Sequence, residues 1–258
     1  MYRFLLTPRW IVGHVLLLLT VVGCVNLGLW QLRRLDERRD YNARVQQALS
    51  AQPVPLDDVV ADAGGDVEAL DYRRVVVDGR YRSSDQLLTA PRSRNGRPGQ
   101  QVLTVLERDG AAPVLIDRGW IPFDRTTRQA PAAPTGGVRV KGIARAAEPG
   151  GIGTGEQVAR IVPAQIAERL GQPLLGLYVQ LQTQQPPAED AAPLPAVAPQ
   201  LTEGNHQSYA LQWFSFALIA LIGYPVLAWR TARDSTSSGP ADGAYPQRNH
   251  GVTTTPIP

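Results

Sequence analysis

Two stretches of this chain run for 23 residues without a charged side chain: residues 10–32, WIVGHVLLLLTVVGCVNLGLWQL, and residues 207–229, QSYALQWFSFALIALIGYPVLAW. A helix needs about 20 residues to cross a hydrocarbon core roughly 30 Å thick. No other stretch of comparable length lacks charge, so the chain reads as two membrane spans around a domain-sized segment. An apolar content of 43% with 19% charge is ordinary for a folded protein, so the placement of the apolar residues decides the class.

The first run also allows a cleavable leader. MYRFLLTPR is a short basic start, and VVGC at 21–24 looks like the box ahead of a lipid-modified bacterial cysteine, which makes a lipoprotein anchored at Cys24 the rival reading. Against it, the apolar run continues past Cys24 through VNLGLW with only Asn26 polar, and the full length suits an uncleaved helix. Orientation follows from arginines. Arg3 and Arg9 precede the first span and Arg230 and Arg233 follow the second, which favours both termini in the cytoplasm. Arg33, Arg34, Arg38, Arg39 and Arg44 pull the other way, but they open a long segment that translocates largely regardless of charge. The expectation is a bacterial cell-membrane protein with its central domain outside.

Between the spans, residues 33–49 are charged with Leu35, Val45 and Leu49 interspersed, and read as a helical stalk that QPVP at 52–55 stops. Strand patterns follow in YRRVVVDGRY (72–81), in the two runs around Asp109-Gly110 (101–123), and in GVRVKGIA (137–144). VPAQIAERLGQPLLGLYVQL (162–181) predicts a short helix from Pro163 to Leu170, capped by Gly171, and a last strand at Tyr178 and Val179. The fold class expected is a membrane protein with two transmembrane α-helices, 10–32 and 207–229, flanking a β-rich α+β extracytoplasmic domain over 33–183. Residues 1–9 are its cytoplasmic start and 184–206 a Pro/Ala-rich extended tether and interfacial segment. Residues 230–258 read as a disordered cytoplasmic tail, which holds His250.

The one cysteine excludes an internal disulfide and any multi-cysteine metal site. A net charge of +3 comes from arginines spread among acids, with no nucleic-acid motif. No catalytic constellation is legible: there is no G-x-S-x-G, H-E-x-x-H or Walker loop, and GGIGTGE at 150–156 is loop-like without a strongly apolar strand before it. The chain reads as non-enzymatic.

The best site candidate opens the second span. A helix starting near Gly204 puts His206, Tyr209, Ala210, Trp213 and Ala217 on one stripe. A ring nitrogen, two aromatics and two small residues suit a flat iron-bearing macrocycle. The plainer reading is an aromatic belt at a membrane interface, with His206 an ordinary interfacial residue. With the N-terminus inside, GLWQLRR at 28–34 ends the first span level with His206. Gly28 then allows close helix approach, while Trp30, Gln31 and Arg33 add an aromatic plane, an amide and a cation. His14 lies 16 residues before Trp30, about 24 Å along a helix, so it cannot share one iron with His206 and reads as structural or snorkelling.

Four segments in order, GLWQLRRLDER (28–38), YRRVVVDGRY (72–81), VLIDRGWIP (114–122) and NHQSYALQWFSFA (205–217), resemble the surfeit locus protein 1 family, membrane factors that help assemble cytochrome c oxidase. The resemblance implies two spans around an outer domain, with oxidase subunits, haem A synthase and membrane lipid as partners. It also implies a part in delivering haem a to the oxidase large subunit, with His206 matching the family's histidine as haem-iron ligand. Trp30, Gln31, Tyr209 and Trp213 fall at cofactor-binding positions, and Gly28, Gly79, Arg118, Gly119 and Trp120 at motif positions. A glycine in a strand and a tryptophan at a hairpin end are also ordinary fold corners. The rival function is a scaffold that binds oxidase subunits and never touches haem.

Overall fold

The structure, a computed structural model, describes residues 3–123, 131–188, 193–195, 199 and 201–237. After a 3₁₀ turn at Arg3–Leu6, the elements are α1 (Pro8–Ser50), β1 (Val54–Pro55), α2 (Leu56–Asp62), β2 (Arg74–Leu88), β3 (Arg92–Arg94), β4 (Arg97–Arg108), β5 (Ala111–Pro122), β6 (Gly137–Arg145), α3 (Pro163–Leu170), β7 (Tyr178–Gln185) and α4 (His206–Ser237). They divide into two units, Met1–Glu37 with Glu203–Pro258, and Arg38–Thr202.

The first unit is an α1–α4 pair. Pro8 opens α1 where its missing N–H is no loss, and Thr7 O accepts the N–H groups of Trp10 and Ile11. The helix runs without interruption to Ser50, and Pro53 stands just beyond its end. Both α1 and α4 are long and apolar enough to cross a membrane. Their protected positions recur at alternating steps of three and four: Trp10, His14, Leu17, Val21, Cys24, Gly28 and Gln31 on α1, and His206, Ala210, Trp213, Ala217, Ala220 and Tyr224 on α4. That is the 3.5-residue period of a coiled-coil seam, with small residues letting the backbones approach. The large apolar side chains point the other way: Leu19 is 62% exposed and Ile219 66%.

The second unit is a closed barrel. Its strand order is β1-β2-β6-β7-β5-β4-β3, and β2 also pairs with β4, so β2, β6, β7, β5 and β4 form a ring. Among the named strands, β1–β2 and β5–β7 are the parallel pairs. Alternation along each strand fills the interior with Val75, Val77, Leu106, Val114, Ile116, Val138, Val140 and Val179, and Leu56 and Val59 of α2 join them. A second cluster forms on the outside, where Ile166 of α3 packs with Val158 and Ile161 against Leu103, Val105, Leu115 and Tyr178. Closure depends on Gly79. β2 pairs with β6 through Arg80 and with β4 from Arg80 onward, and a Cβ at 79 would stand 2.2 Å from the Glu107 carbonyl oxygen.

The short helix appears as read, from Pro163 to Leu170 with Gly171 left-handed at φ 67°. Two expectations need correction. The stretch from 184 is not all tether: Gln184 and Gln185 complete β7, and Leu194 pairs back onto Trp120 of β5 through both backbone hydrogen bonds, 2.9 Å each. An open β5 edge beyond the β7 pairing accepts those groups, which a free tether would leave to water. Nor does the tail begin at 230, since α4 continues to Ser237. Residues 238–258, with His250, and residues 189–192 lie outside the described residues.

Candidate functional site

His206 is the first residue of α4, where the first-turn N–H groups lack helical acceptors. Its Nδ1 lies 2.8 Å from Gln31 Oε1 on α1. An amide oxygen only accepts, so Nδ1 carries a proton, and in the neutral ring Nε2 holds the lone pair. Nε2 has no hydrogen-bond partner among the described residues. Gly204 precedes His206 in a left-handed turn at φ 70°, where a Cβ would make ordinary contact with the imidazole, 3.4 Å from Cδ2 and 3.5 Å from Nε2. A neutral imidazole, oriented through one nitrogen and free at the other, is how proteins present histidine to a metal.

Gly28 sits one turn before Gln31, and a Cβ on it would stand 2.6 Å from the Phe214 ring. Phe214 thus seats α4 on α1 just below the His206–Gln31 pair. Ala210 and Ala217 are buried on the seam, while Trp30 and Tyr209 stay half exposed, 50% and 49%, on its flanks. Trp213 is half-buried and meets Phe216 edge-on at 5.8 Å. The structure therefore brings together His206, Gln31 and, through Phe214, Gly28. It leaves Trp30 and Tyr209 on the apolar outside of the pair.

The far end carries a different polar contact. Tyr224 OH donates to His14 Nδ1 at 2.7 Å, and His14 Nε2 reaches Leu5 O at 3.2 Å, which uses both ring nitrogens. Trp10 closes an aromatic group around them. His14 is a fastening between the helices.

In the barrel, Asp117-Arg118-Gly119-Trp120 forms a β-bulge. Val102 pairs with Gly119 and Leu103 with Asp117, leaving Arg118 as the extra residue. Asp117 Oδ1 accepts the Gly119 N–H at 3.0 Å and Oδ2 accepts from Gln101 Nε2 at 2.7 Å. Complete burial outweighs both bonds and pushes the Asp117 carboxyl up to about 6. Gly119 takes φ 122°, and a Cβ there would meet Leu194 O at 2.3 Å. Trp120 donates through Nε1 to Arg92 O at 3.1 Å. Arg118 turns inward, 5.5 Å over the Tyr81 ring, and burial lowers its affinity for a proton.

Sequence reasoning passed over Gly204, Phe214, Tyr224 and Asp117. Tyr224 was legible: it lies 18 residues from His206, five turns at 3.6 residues, hence on the same face. Phe214 had no such signal, because its role exists only once α1 is alongside. No group of three or more His, Cys, Asp or Glu side chains suited to a bare metal ion occurs among the described residues.

Comparison with known proteins bears on both units. The model of the SURF1 family matches residues 18–218. A SURF1-like protein of Mycobacterium tuberculosis is 29% identical over 240 residues, 89% of this chain and 87% of that protein. The cytochrome oxidase assembly protein SHY1 of Saccharomyces cerevisiae is 35% identical over 101 residues, 38% of this chain and 25% of the yeast protein. A SURF1-like protein of Dictyostelium discoideum is 26% identical over 113 residues, 42% of each chain.

Proposed function

This chain belongs to the SURF1 family, and on that premise we propose that it is a membrane-anchored cytochrome c oxidase assembly factor that holds haem a at His206 and hands it to the oxidase large subunit. The name of the yeast relative supports the assembly role. The outward-facing leucines and isoleucines of the α1–α4 pair support membrane insertion: in water such a surface would aggregate, and in lipid it is the favourable one. The arginine distribution supports cytoplasmic termini and an outer barrel.

The observation that carries the haem reading is the 2.8 Å contact between His206 Nδ1 and Gln31 Oε1. It favours the tautomer that leaves Nε2 able to ligate. Trp30, Tyr209 and Trp213 are the flat apolar surfaces nearest along the two helices to that nitrogen, suited to the faces of a macrocycle. Haem a is cargo here, so the protein's work is to bind, orient and release it without catalysis. A single histidine held by a neutral amide gives moderate affinity, which a carrier needs.

The test is to purify the full chain in detergent from cells that make haem A, and to compare reduced-minus-oxidised spectra and extracted pigment. Wild type should carry haem a. His206→Ala should lose nearly all of it while remaining folded, and Gln31→Leu should bind about 10- to 100-fold more weakly because the imidazole is no longer oriented. A colourless wild type from cells shown to contain haem A would transfer the assignment to a scaffold that recruits oxidase subunits without touching haem.

A further inference from the structure

Arg118 is only 1% exposed, yet every hydrogen bond it makes is to a neutral oxygen: Nη1 donates to Gln86 Oε1 and Pro131 O, both 2.9 Å, and Nη2 to Ala132 O at 2.8 Å. A guanidinium has five N–H groups. Those three bonds leave one on Nε and one on Nη2, and Nε is buried without a partner. Nε and Nη2 are the two nitrogens that a carboxylate bridges side-on, in the geometry that distinguishes arginine from lysine. A buried charge without a counter-charge is expensive, and the Tyr81 ring offsets only part of that cost.

Two further features point outward from the barrel. Alternation along β5 puts Arg118 on the interior face with Val114 and Ile116, and the bulge leaves it without a partner residue on β4, an irregularity that recurs beside sites. Arg118 also lines a cavity of about 260 Å3, with Leu181, Thr183, Gln184, Pro187 and Pro193 on its other walls. Half of its lining residues are apolar, and beside Arg118 the others supply a hydroxyl and two amides, with no acid among the described residues that line it. Such a cavity receives an organic acid by its carboxylate and houses the apolar remainder.

We propose that this cavity at the barrel mouth is a binding site for a carboxylate-bearing molecule, with Arg118 Nε and Nη2 as the bidentate donors. The assignment is independent of haem and of His206.

Butyrate is the probe, with butyramide as its uncharged counterpart, added to the full chain in detergent. The readout is the ¹⁵N spectrum of arginine Nε–H groups, in which the Arg118 signal is the one absent from Arg118→Lys. Butyrate should shift that signal saturably, butyramide should act at least about tenfold more weakly, and Ala188→Phe, which fills the cavity without touching Arg118, should weaken butyrate by a similar factor. If Arg118→Lys does not fold, the butyramide and Ala188→Phe comparisons still decide. Competition by the peptide Gly-Ala-Ala at least tenfold better than butyrate assigns the carboxylate to a chain end, and weaker competition to a small free acid. No saturable shift, an equal response to butyramide, unchanged affinity in Ala188→Phe, or binding of inorganic phosphate in place of butyrate would each overturn the proposal.

Discussion

In the α1–α4 pair, leucine and isoleucine face outward while histidine, glutamine, tyrosine and alanine meet along the seam; in the barrel, valine and isoleucine fill the inside and arginines cover much of the surface. The two units solve opposite packing problems. In the lipid we propose for this pair, apolar burial between helices would gain nothing, so close backbone approach and polar contacts such as His206–Gln31 and Tyr224–His14 would hold it. In water the barrel is held by apolar area at roughly 25 cal/mol per Å2, which leaves it able to carry the strain of a buried Asp117 and Arg118 side by side. Polar groups therefore fasten the helix pair, whereas in the barrel the buried Asp117 and Arg118 are places where stability has been given up.

The largest effect that would break this contrast is at the barrel corner. Gly79→Val places a side chain against the Glu107 carbonyl, which cannot move without opening the β2–β4 pairing. The barrel should lose more than about 3 kcal/mol, read as the urea midpoint of its β-sheet circular dichroism. A change below about 1 kcal/mol would mean that closure is not what holds this unit.

Next comes Asp117. Folded, it keeps its proton to about pH 6, against 3.8 for its ordinary value. The folded state therefore binds more protons between those values, and stability falls as pH rises from 4 to 7, by up to about 3 kcal/mol. Glu148 works in the opposite sense. Burial would raise it, but the Arg92 hydrogen bonds and the Ile161 N–H prevail and hold it below its ordinary value, so its contribution is lost as pH falls. Urea midpoints of wild type and Asp117→Asn across pH 4–7 separate the two. The variant should lack the decline towards neutral pH, and parallel curves would contradict the assigned cost of burial.

The smallest effect belongs to the helix pair. Tyr224→Phe removes the hydroxyl that donates to His14, and a contact of this kind inside lipid is worth about 0.6 kcal/mol, at most about 2. Helix association measured in bilayers should weaken by that amount while the barrel midpoint stays unchanged. A shift in the barrel midpoint instead would mean that the two units do not melt separately.

Much of this was written in local sequence. Two uncharged runs of 23 residues announced α1 and α4, and proline at 163 with glycine at 171 bounded α3, because span length, a missing N–H and a left-handed φ are properties of single segments. His206 was also legible as a candidate, being a lone imidazole at the mouth of an apolar run. Span topology put Gln31 level with His206, but the direct contact between them, across 175 residues, was not legible. Distance in sequence also hid the closure of β2 on β4, the docking of Leu194 on Trp120, and the burial that turns Asp-Arg-Gly-Trp from a strand end into a bulge with a buried carboxyl and a buried guanidinium. Periodicity and capping fix elements because their energies are local, whereas a pairing, a burial or a pKa is set by whichever distant residues the chain brings alongside, and only the folded arrangement decides those.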